Sequence, residues 1–412
     1  MQQPNGVHPI TAATHEERAM QLLRSHGALT RGELADALGL SRTTMSGVAA
    51  ALLSRRAVVV VDTDAAGRHG SGRPAERLAL DPRAGQFIGV EFTHRRVQVV
   101  IADASHEVVG SGSASFDTTA WDERLDIAFA LVDQVLSDAD LHLGNLQAIG
   151  IGVPGPVAQQ GLDVPAGWGR SPAGEEVRRA FADRYAVPLL IDNNTRFAAL
   201  AEATWAPGEG QDIIYVRLGE GVGGGVIVGG RLVTGSAGLA GEVGHVRVVD
   251  SGPACRCGKH GCMEAVASLP AILAACRGRG HDVASLAQLV PHIERRDPVV
   301  DEVLRNAGAA VGRALAGPAI ALNPAQIIIG GDIVAAAPTL LRAAADTLHF
   351  ELFPVIESSP EIRAAHGGDE DGALGAVLAL FHQSPLLAAY PAQPSRDDHD
   401  HPLSPRARRS AI

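Results

Sequence analysis

Three of the four cysteines in this 412-residue chain fall within eight residues, and this cluster restricts what the chain can fold into. Cys255, Cys257 and Cys262 lie in the run Cys-Arg-Cys-Gly-Lys-His-Gly-Cys, and His245 stands ten residues before the first of them. Thiolate sulfur and imidazole nitrogen are the ligands that tetrahedral Zn²⁺ prefers. The glycines between the cysteines allow tight turns that bring three sulfurs onto one ion. We therefore predict one structural zinc ion per chain, held by His245, Cys255, Cys257 and Cys262.

A pair of disulfides in a secreted protein is the other interpretation of clustered cysteines. The first residues lack the basic and apolar regions of a signal peptide, so we expect reduced thiols in a cytoplasm. The fourth cysteine, Cys276, follows two alanines in an apolar stretch, and we expect a buried core thiol there. No apolar run reaches the roughly 18 residues that span a bilayer, so we expect no membrane partner.

Charge is unevenly distributed along the chain. The net charge is −11, whereas residues 1–80 contain nine Arg against seven Asp or Glu. A strongly acidic molecule does not bind nucleic acid nonspecifically, so only the amino-terminal part is suited to meet a polyanion. The hydrophobic content of 46% supports sizeable cores, and the length is enough for about three domains.

Residues 15–82, after a flexible start over residues 1–14, have the pattern of a winged helix-turn-helix domain. Apolar residues at helical spacing predict three short helices. Thr30 and Glu33 have the spacing of a capping box, and Gly39 permits the turn before the third helix. Two strands then flank a tip that is rich in glycine and arginine.

The third helix and the wing supply the predicted contacts with DNA. A recognition helix enters the major groove, and a slim cationic wing suits a narrow minor groove. The residues we expect to bind DNA are Arg42, Thr43, Thr44, Ser46, Arg68 and Arg73. A small helical module that binds another protein is the alternative.

From residue 85 the chain alternates strands and helices in the manner of an α/β fold. We expect a first lobe over residues 85–193, completed by a carboxy-terminal helix over residues 372–382. A second lobe over residues 194–371 would carry the cysteine cluster. Residues 384–412 are rich in Pro, Ser, Asp, His and Arg, and we expect a disordered tail.

The order of motifs resembles the ROK family (repressors, open reading frames and sugar kinases), especially its repressor branch. After the helix-turn-helix come Gly-Val-Pro-Gly-Pro at 152–156, Asp-Asn-Asn at 192–194, a glycine run at 221–225, Gly-Glu-Val-Gly-His at 241–245 and the cysteine cluster that ends at Glu264. The resemblance implies two actin-like ATPase lobes (ribonuclease H-like and sugar-kinase-like) behind a winged helix, in a bacterial cytoplasm. It also implies that a sugar contacts Gly155, Asn193, Asn194, Glu242, His245 and Glu264, unless the two glutamates are ordinary surface acids.

Two departures from the family pattern bear on catalysis. Family kinases place an aspartate base just before a helix that ends in Leu-x-Glu, and counting back from Glu202 puts Asn194 at that position. An amide cannot take a proton, so no catalytic residue is expected there, although Asp192 is an alternative base. Family kinases also carry an Asp-x-Gly-Gly-Thr turn for the nucleotide phosphates, whereas the matching residues 91–95 contain no glycine. The glycine run at 221–225 is intact, but such glycines also serve hairpins and lobe packing.

These patterns predict a sugar-responsive regulator of carbohydrate genes, a repressor without enzymatic activity. Its partners would be operator DNA and a sugar or sugar phosphate effector, and it would act as a homodimer or homotetramer. An active ATP-dependent sugar kinase with an appended DNA-binding domain is the alternative.

Overall fold

Two five-stranded sheets with the same strand order form the body, and a smaller antiparallel sheet precedes them. The computed structural model describes residues 15–54, 56–64, 75–141, 143, 146–157, 172–205, 212–352, 360–367 and 371–383. The predicted wing residues Arg68 and Arg73, the flexible start and the tail lie outside the described residues.

The amino-terminal unit contains three helices and a three-stranded sheet of order β1-β3-β2. Its elements are α1 (His15–His26), β1 (Leu29–Thr30), α2 (Arg31–Leu38), α3 (Arg42–Ser54), β2 (Val58–Asp64) and β3 (Ala75–Leu80). The predicted capping box is present, because the Thr30 side chain accepts from the Glu33 amide and Glu33 accepts from the Thr30 amide at 2.7 Å. Gly39 ends α2 in the left-handed region at φ 65°, which a glycine adopts without strain. The three helices and the turn were predicted, whereas the two-residue strand β1 was not.

The first lobe is a mixed sheet of order β6-β5-β4-β7-β8. Its elements are β4 (Gln86–Phe92), β5 (Arg96–Asp103), β6 (Val108–Ser115), α4 (Trp121–Asp138), β7 (Leu146–Val153), α5 (Pro172–Arg184) and β8 (Leu189–Asn193). The first three strands form an antiparallel meander, and β7 and β8 add in parallel. Phe87 and its neighbours on β4 are buried on both sides, which is typical of a central strand.

The second lobe repeats this topology in the order β11-β10-β9-β12-β13. Its strands are β9 (Ile213–Leu218), β10 (Val222–Val228), β11 (Arg231–Leu232), β12 (Gln326–Gly330) and β13 (Glu361–Ala364). Its helices are α7 (Met263–Ala267), α8 (Leu269–Arg277), α9 (Leu286–Glu294), α10 (Pro298–Leu322), α11 (Asp332–Ala336) and α12 (Pro338–Glu351). Cys276 is fully buried in the core of this lobe, as predicted. The helices α7, α8, α9, α11 and α12 and the strand β13 were not predicted.

Two helices, α6 (Asn194–Trp205) and α13 (Asp371–Gln383), lie between the sheets. Helix α13 packs on β4 and β7, and helix α6 packs on β9, β10 and α13. Gly375 of α13 faces the carbonyl of Phe197 so closely that a side chain there would overlap it. One apolar cluster therefore joins Phe87 of the first sheet, Phe197 of α6 and Tyr215 of the second sheet.

Among the described residues, none of the helices combines the length and the apolar character needed to cross a membrane.

Candidate functional site

The first turn of α6 is held by the side chain that precedes it. The Asn193 Oδ1 atom accepts from the amides of Thr195 at 2.8 Å and Arg196 at 3.2 Å, so this asparagine caps the helix. Its Nδ2 atom donates to the carbonyl of Gly155 at 2.8 Å. Gly155 has φ of 88°, a conformation that favours glycine, and follows the end of β7. The predicted sugar contacts Asn193 and Gly155 thus meet at one point.

Asn194, at the expected base position, is buried and bonded to the first lobe. Its Nδ2 atom donates to the carbonyl of Phe92 at 3.0 Å, which fastens the start of α6 to the end of β4. An amide can donate and accept hydrogen bonds, but it has no basicity useful for deprotonating a hydroxyl. The residue therefore acts as a brace between strand and helix.

Asp192 is committed to a buried ion pair. The Arg196 side chain, only 1% exposed, bonds to Asp192 and to the carbonyls of Gly238 and Val157. Burial raises the pKa of Asp192, while the positive charge of Arg196 opposes this shift. A carboxylate tied to a guanidinium in this way is a poor candidate for the alternative base.

Backbone amides of the turn after β4 are hydrogen-bonded within the turn itself. The Thr93 amide donates to the carbonyl of Arg96 at 2.8 Å, and the Arg96 and Arg95 amides donate to Thr93 Oγ1 at 3.1 and 3.4 Å. A phosphate cradle needs backbone amides that point at the ligand. In this turn three amides are already satisfied internally, and none of its residues is glycine.

A buried ion pair joins the two sheets next to this turn. Glu91 of β4 is fully buried, and its Oε1 atom lies 2.9 Å from the Arg217 guanidinium of β9. Burial raises the pKa of Glu91, and Arg217 opposes that shift. Nearby, burial lowers the pKa of His94, while the carboxylate of Glu220 opposes that shift from the β9–β10 turn. Charged side chains of both lobes therefore meet near residues 91–95.

The four predicted zinc ligands come together in the second lobe. Their ligand atoms all lie within 4.8 Å of one another. His245 Nδ1 is 3.5 Å from Cys255 Sγ, and Cys257 Sγ is 3.6 Å from Cys262 Sγ. Zinc bonds of about 2.0 to 2.3 Å in a tetrahedron separate the ligand atoms by roughly 3.4 to 3.8 Å, so the observed spacing fits one ion.

The thiol chemistry agrees with a cation at this position. Burial raises the pKa of Cys255, and it raises the pKa of Cys262 to about 12. Thiolates in such surroundings require a nearby positive charge, which a bound metal ion would supply. The residues present therefore fit a closed four-ligand zinc site, which would stabilise structure and leave no position for an activated water.

His245 also faces the predicted sugar contacts. Its Nδ1 atom points to the cysteines, while its Nε2 atom lies 4.0 Å from a carboxylate oxygen of Glu242. Burial raises the pKa of Glu242, and the charges of Arg196 and Arg256 oppose the shift. The short 3-10 turn over 243–245 thus links the metal ligands to a half-buried carboxylate.

Glu264 is buried, so it is not an ordinary surface acid, but its oxygens have protein partners. Arg256 binds both oxygens, at 2.8 and 2.9 Å, and the Val222 amide donates to one of them at 3.0 Å. Glu264 therefore fixes the cysteine loop to the start of β10. A sugar hydroxyl would have to share these oxygens with Arg256.

The glycine run at 221–225 is explained by packing. A side chain on Gly223 would overlap Thr195 of α6, and one on Gly225 would overlap Ala199. On the other face, a side chain on Gly224 would overlap the carbonyl of Gly241. The run is strand β10 pressed between a helix and the 241–245 loop, and by itself it gives no evidence for a nucleotide.

The predicted DNA-contacting residues of α3 are exposed. Arg42, Thr43, Thr44 and Ser46 face away from the core of the amino-terminal unit. The opposite face of the helix is buried through Met45, Val48, Ala49 and Leu52. The Thr44 hydroxyl is hydrogen-bonded to Ser41 at 2.8 Å, which holds the first turn of α3 in place.

The comparison with known proteins decides the family. A model of the ROK family matches residues 87–384. The chain belongs to the ROK family. This ROK body accounts for the paired sheets, and the predicted resemblance is confirmed.

ROK relatives include both kinases and repressors. A glucokinase of Halalkalibacterium halodurans is 32% identical over 273 residues, covering 61% of this chain and 80% of the kinase. The DNA-binding transcriptional repressor Mlc of Escherichia coli is 26% identical over 407 residues, covering 93% of this chain and 98% of the repressor. A crystal structure of a ROK family transcriptional regulator, described as a homologue of the E. coli MLC protein, shares the fold with a TM-score of 0.69 at 22% identity. It covers 88% of this chain and 94% of that one.

Several residues of the site were not predicted from the sequence. Arg196 stands four residues after Asp192, but Asp192 lies on strand β8 and Arg196 lies on α6, so helical charge spacing does not predict this pair. Arg256 lies between two cysteines and opposes Glu264, which only the folded loop reveals. Glu91 and Arg217 are 126 residues apart in sequence, so no local sequence pattern indicates that they form an ion pair.

The ion pair between the sheets makes a testable contribution to stability. Replacing Arg217 by Met leaves Glu91 buried without a countercharge, so we expect the free energy of unfolding to fall by about 3 kcal/mol. Adding Glu91→Gln to Arg217→Met removes the unpaired charge and should recover part of the loss. Urea unfolding followed by circular dichroism measures both; additive losses in the double variant would contradict the pairing.

Proposed function

We propose that this protein is a sugar-responsive transcriptional regulator, a repressor of carbohydrate genes whose body senses a sugar without phosphorylating it. One observation carries the proposal: helix α3 presents an exposed polar face ahead of a ROK body in which an amide, Asn194, stands where the family resemblance puts the kinase base. The similarity to Mlc supports it, since that match extends beyond the residues of the family model into the amino-terminal part. We further propose a bacterial cytoplasmic setting and a homodimer or homotetramer on operator DNA.

Sugar recognition in this proposal uses the polar groups around the start of α6 and the 241–245 loop. Hydroxyls of a sugar need paired donors and acceptors, which Asn193, Glu242 and His245 supply. Zinc would hold Nδ1 of His245 and leave Nε2 for a polar partner, as metal-bound histidines commonly do. The ion then stabilises the loop that presents Glu242. An effector changes DNA affinity only through its different affinity for two lobe arrangements.

An active sugar kinase is the second candidate, favoured by the identity of 32% to a glucokinase. Against it stand the amide at position 194 and the internally bonded turn over residues 93–96. General base catalysis contributes about 10² to 10⁴ in rate, so loss of the base removes most of the activity. The regulator without turnover is the better supported function.

An ATP-dependent phosphorylation assay on a panel of sugars separates the two candidates. We expect no turnover above background from the natural chain. Asn194→Asp should also fail, because the turn over residues 93–96 still has no glycine and keeps three of its amides in internal hydrogen bonds. A ROK glucokinase in the same assay is the positive control. Robust turnover by the natural chain would exclude the proposed function, and turnover by Asn194→Asp alone would mean that the base is the only defect.

The proposed role of α3 predicts a loss of DNA affinity on removal of Arg42. Genomic fragments enriched by binding to the purified protein provide the operator. We expect Arg42→Ala to weaken binding by at least about fivefold, because a base contact is worth roughly 1 to 3 kcal/mol. Arg279→Ala removes the same charge from an exposed position in the second lobe and should leave affinity unchanged. Equal affinity of Arg42→Ala and the natural chain in a gel-shift titration would disprove the assignment.

The proposed zinc brace predicts that metal and sugar response are lost together. A thermal-shift screen with sugars and sugar phosphates first identifies an effector that raises Tm. Cys257→Ser should then contain about one zinc ion per chain fewer than the natural protein by elemental analysis, and its Tm should no longer respond to that effector. Cys276→Ala removes a buried thiol outside the cluster and should keep both properties. An unchanged response in Cys257→Ser would show that the metal does not support the sugar site.

A further inference from the structure

A second group of potential metal ligands lies where three helices of the second lobe meet. His281 follows α8, His292 lies in the last turn of α9, and Asp297 caps the start of α10. One ligand atom from each residue lies within 4.8 Å of the other two. None of the three belongs to the Cys3His cluster or to the predicted sugar contacts.

The distances suit ligands of a single ion. His281 Nε2 lies 2.9 Å and His292 Nδ1 lies 3.7 Å from the same oxygen, Asp297 Oδ2. Nitrogen and oxygen ligands at about 2.1 Å from an ion are roughly 3.0 Å apart at a right angle and 3.4 Å apart in a tetrahedron. The two measured separations bracket these values, so small side-chain rotations bring all three atoms to an ion.

Hydrogen bonding alone does not explain the second histidine. The contact of His281 with Asp297 is a hydrogen bond, but 3.7 Å from His292 is too long for one. The two imidazole rings meet edge to face, with centroids 5.0 Å apart. Two imidazoles and one carboxylate are the ligand set of two-histidine, one-carboxylate metal sites, and here all three side chains lie close enough to share one ion.

The three side chains are positioned by the backbone without help from an ion. Asp297 Oδ1 accepts from the amides of Val299 and Val300, which leaves Oδ2 for the histidines. The Asp297 amide donates to the carbonyl of His292 at 3.0 Å, and the His281 amide donates to the carbonyl of Cys276 at 3.1 Å. Preorganised ligands of this kind bind a metal with little loss of conformational freedom.

The charge around the group also permits a cation. Residues 277–302 carry five Asp or Glu against four Arg. The carboxylate of Asp297 places a negative charge at the point where the two histidines approach it. The three side chains are partly exposed, which leaves room for water on the remaining coordination positions.

We propose that His281, His292 and Asp297 form a second metal site, which binds a divalent transition-metal ion such as Zn²⁺ or Co²⁺ with water completing its coordination. An ion here ties the ends of α8, α9 and α10 together. Helix α9 has a single fully buried residue, Leu289, so this bond would be a major part of its attachment. With three protein ligands in place of four, the site is more exchangeable than the Cys3His cluster.

Metal titration of the full-length protein tests the proposal. The probe is Co²⁺ or Zn²⁺, added to protein whose Cys3His cluster is already loaded, with a chromophoric chelator as competitor. We expect one further ion per chain in the natural protein. His281→Ala/His292→Ala should bind this ion at least about 100-fold more weakly, while Cys257→Ser should keep it. Failure of the natural chain to bind a further ion at about 100 µM metal, or binding unchanged in His281→Ala/His292→Ala, would overturn the proposal.

Two control variants keep the result interpretable. Asp297→Asn preserves a helix-capping side chain, so its Tm without metal should stay close to that of the natural chain, while its affinity for the ion falls. His399→Ala/His401→Ala removes the histidines near the carboxy terminus and should not change the titration. Loss of the further ion in that variant, with retention in His281→Ala/His292→Ala, would place the ion elsewhere and reject the site.

Discussion

The close approach of α6 and α13 is the constraint on which the rest of the body depends. The two helices form the middle layers between the sheets, and Gly375 allows their backbones to touch at Phe197. The sheets pack equally closely on these helices. Gly150 of β7 lies against α13, and Gly225 of β10 lies against α6. Dense interiors transmit small displacements, since packed layers of this kind have no space to absorb them. The start of α6 therefore moves only together with both sheets.

This packing explains why the candidate site is built at the start of α6. Asn193 caps the helix and holds Gly155, Asn194 holds the end of β4, and Arg196 holds the loop at Gly238. Each bond connects the helix to a different segment, so a ligand that contacts Asn193 acts on the first lobe and on the second. Asn194 contributes a hydrogen bond to this arrangement. The start of α6 is thus the point at which segments of both lobes are joined.

Much of this architecture could be predicted from the sequence, and the reasons for success and failure are local. The capping box at Thr30 and the turn at Gly39 depend on neighbouring residues, and both were found from spacing alone. The cysteine cluster was found because four ligands lie within 18 residues. The family motifs predict the base position at Asn194, and that assignment stays a prediction. The features that were not predicted have two causes. Arg217 meets Glu91 only after the two sheets have packed, so the pair depends on residues that are distant in sequence. Strand β13 is a short edge strand whose residues do not alternate clearly between apolar and polar.

The ion pair of Glu91 with Arg217 sets limits on how the body can move. Opening the lobes at that end would separate two charges in a buried environment, where the cost of unpaired charge is high. A further buried ion pair, Arg196 with Asp192, lies at the start of α6, and Arg196 also bonds to the carbonyl of Gly238 in the second lobe. Any change in the arrangement of the lobes that keeps both ion pairs intact is therefore confined to small rotations. Because Asn193 lies next to Asp192, a ligand bound there would act directly on a segment that such a rotation has to carry along.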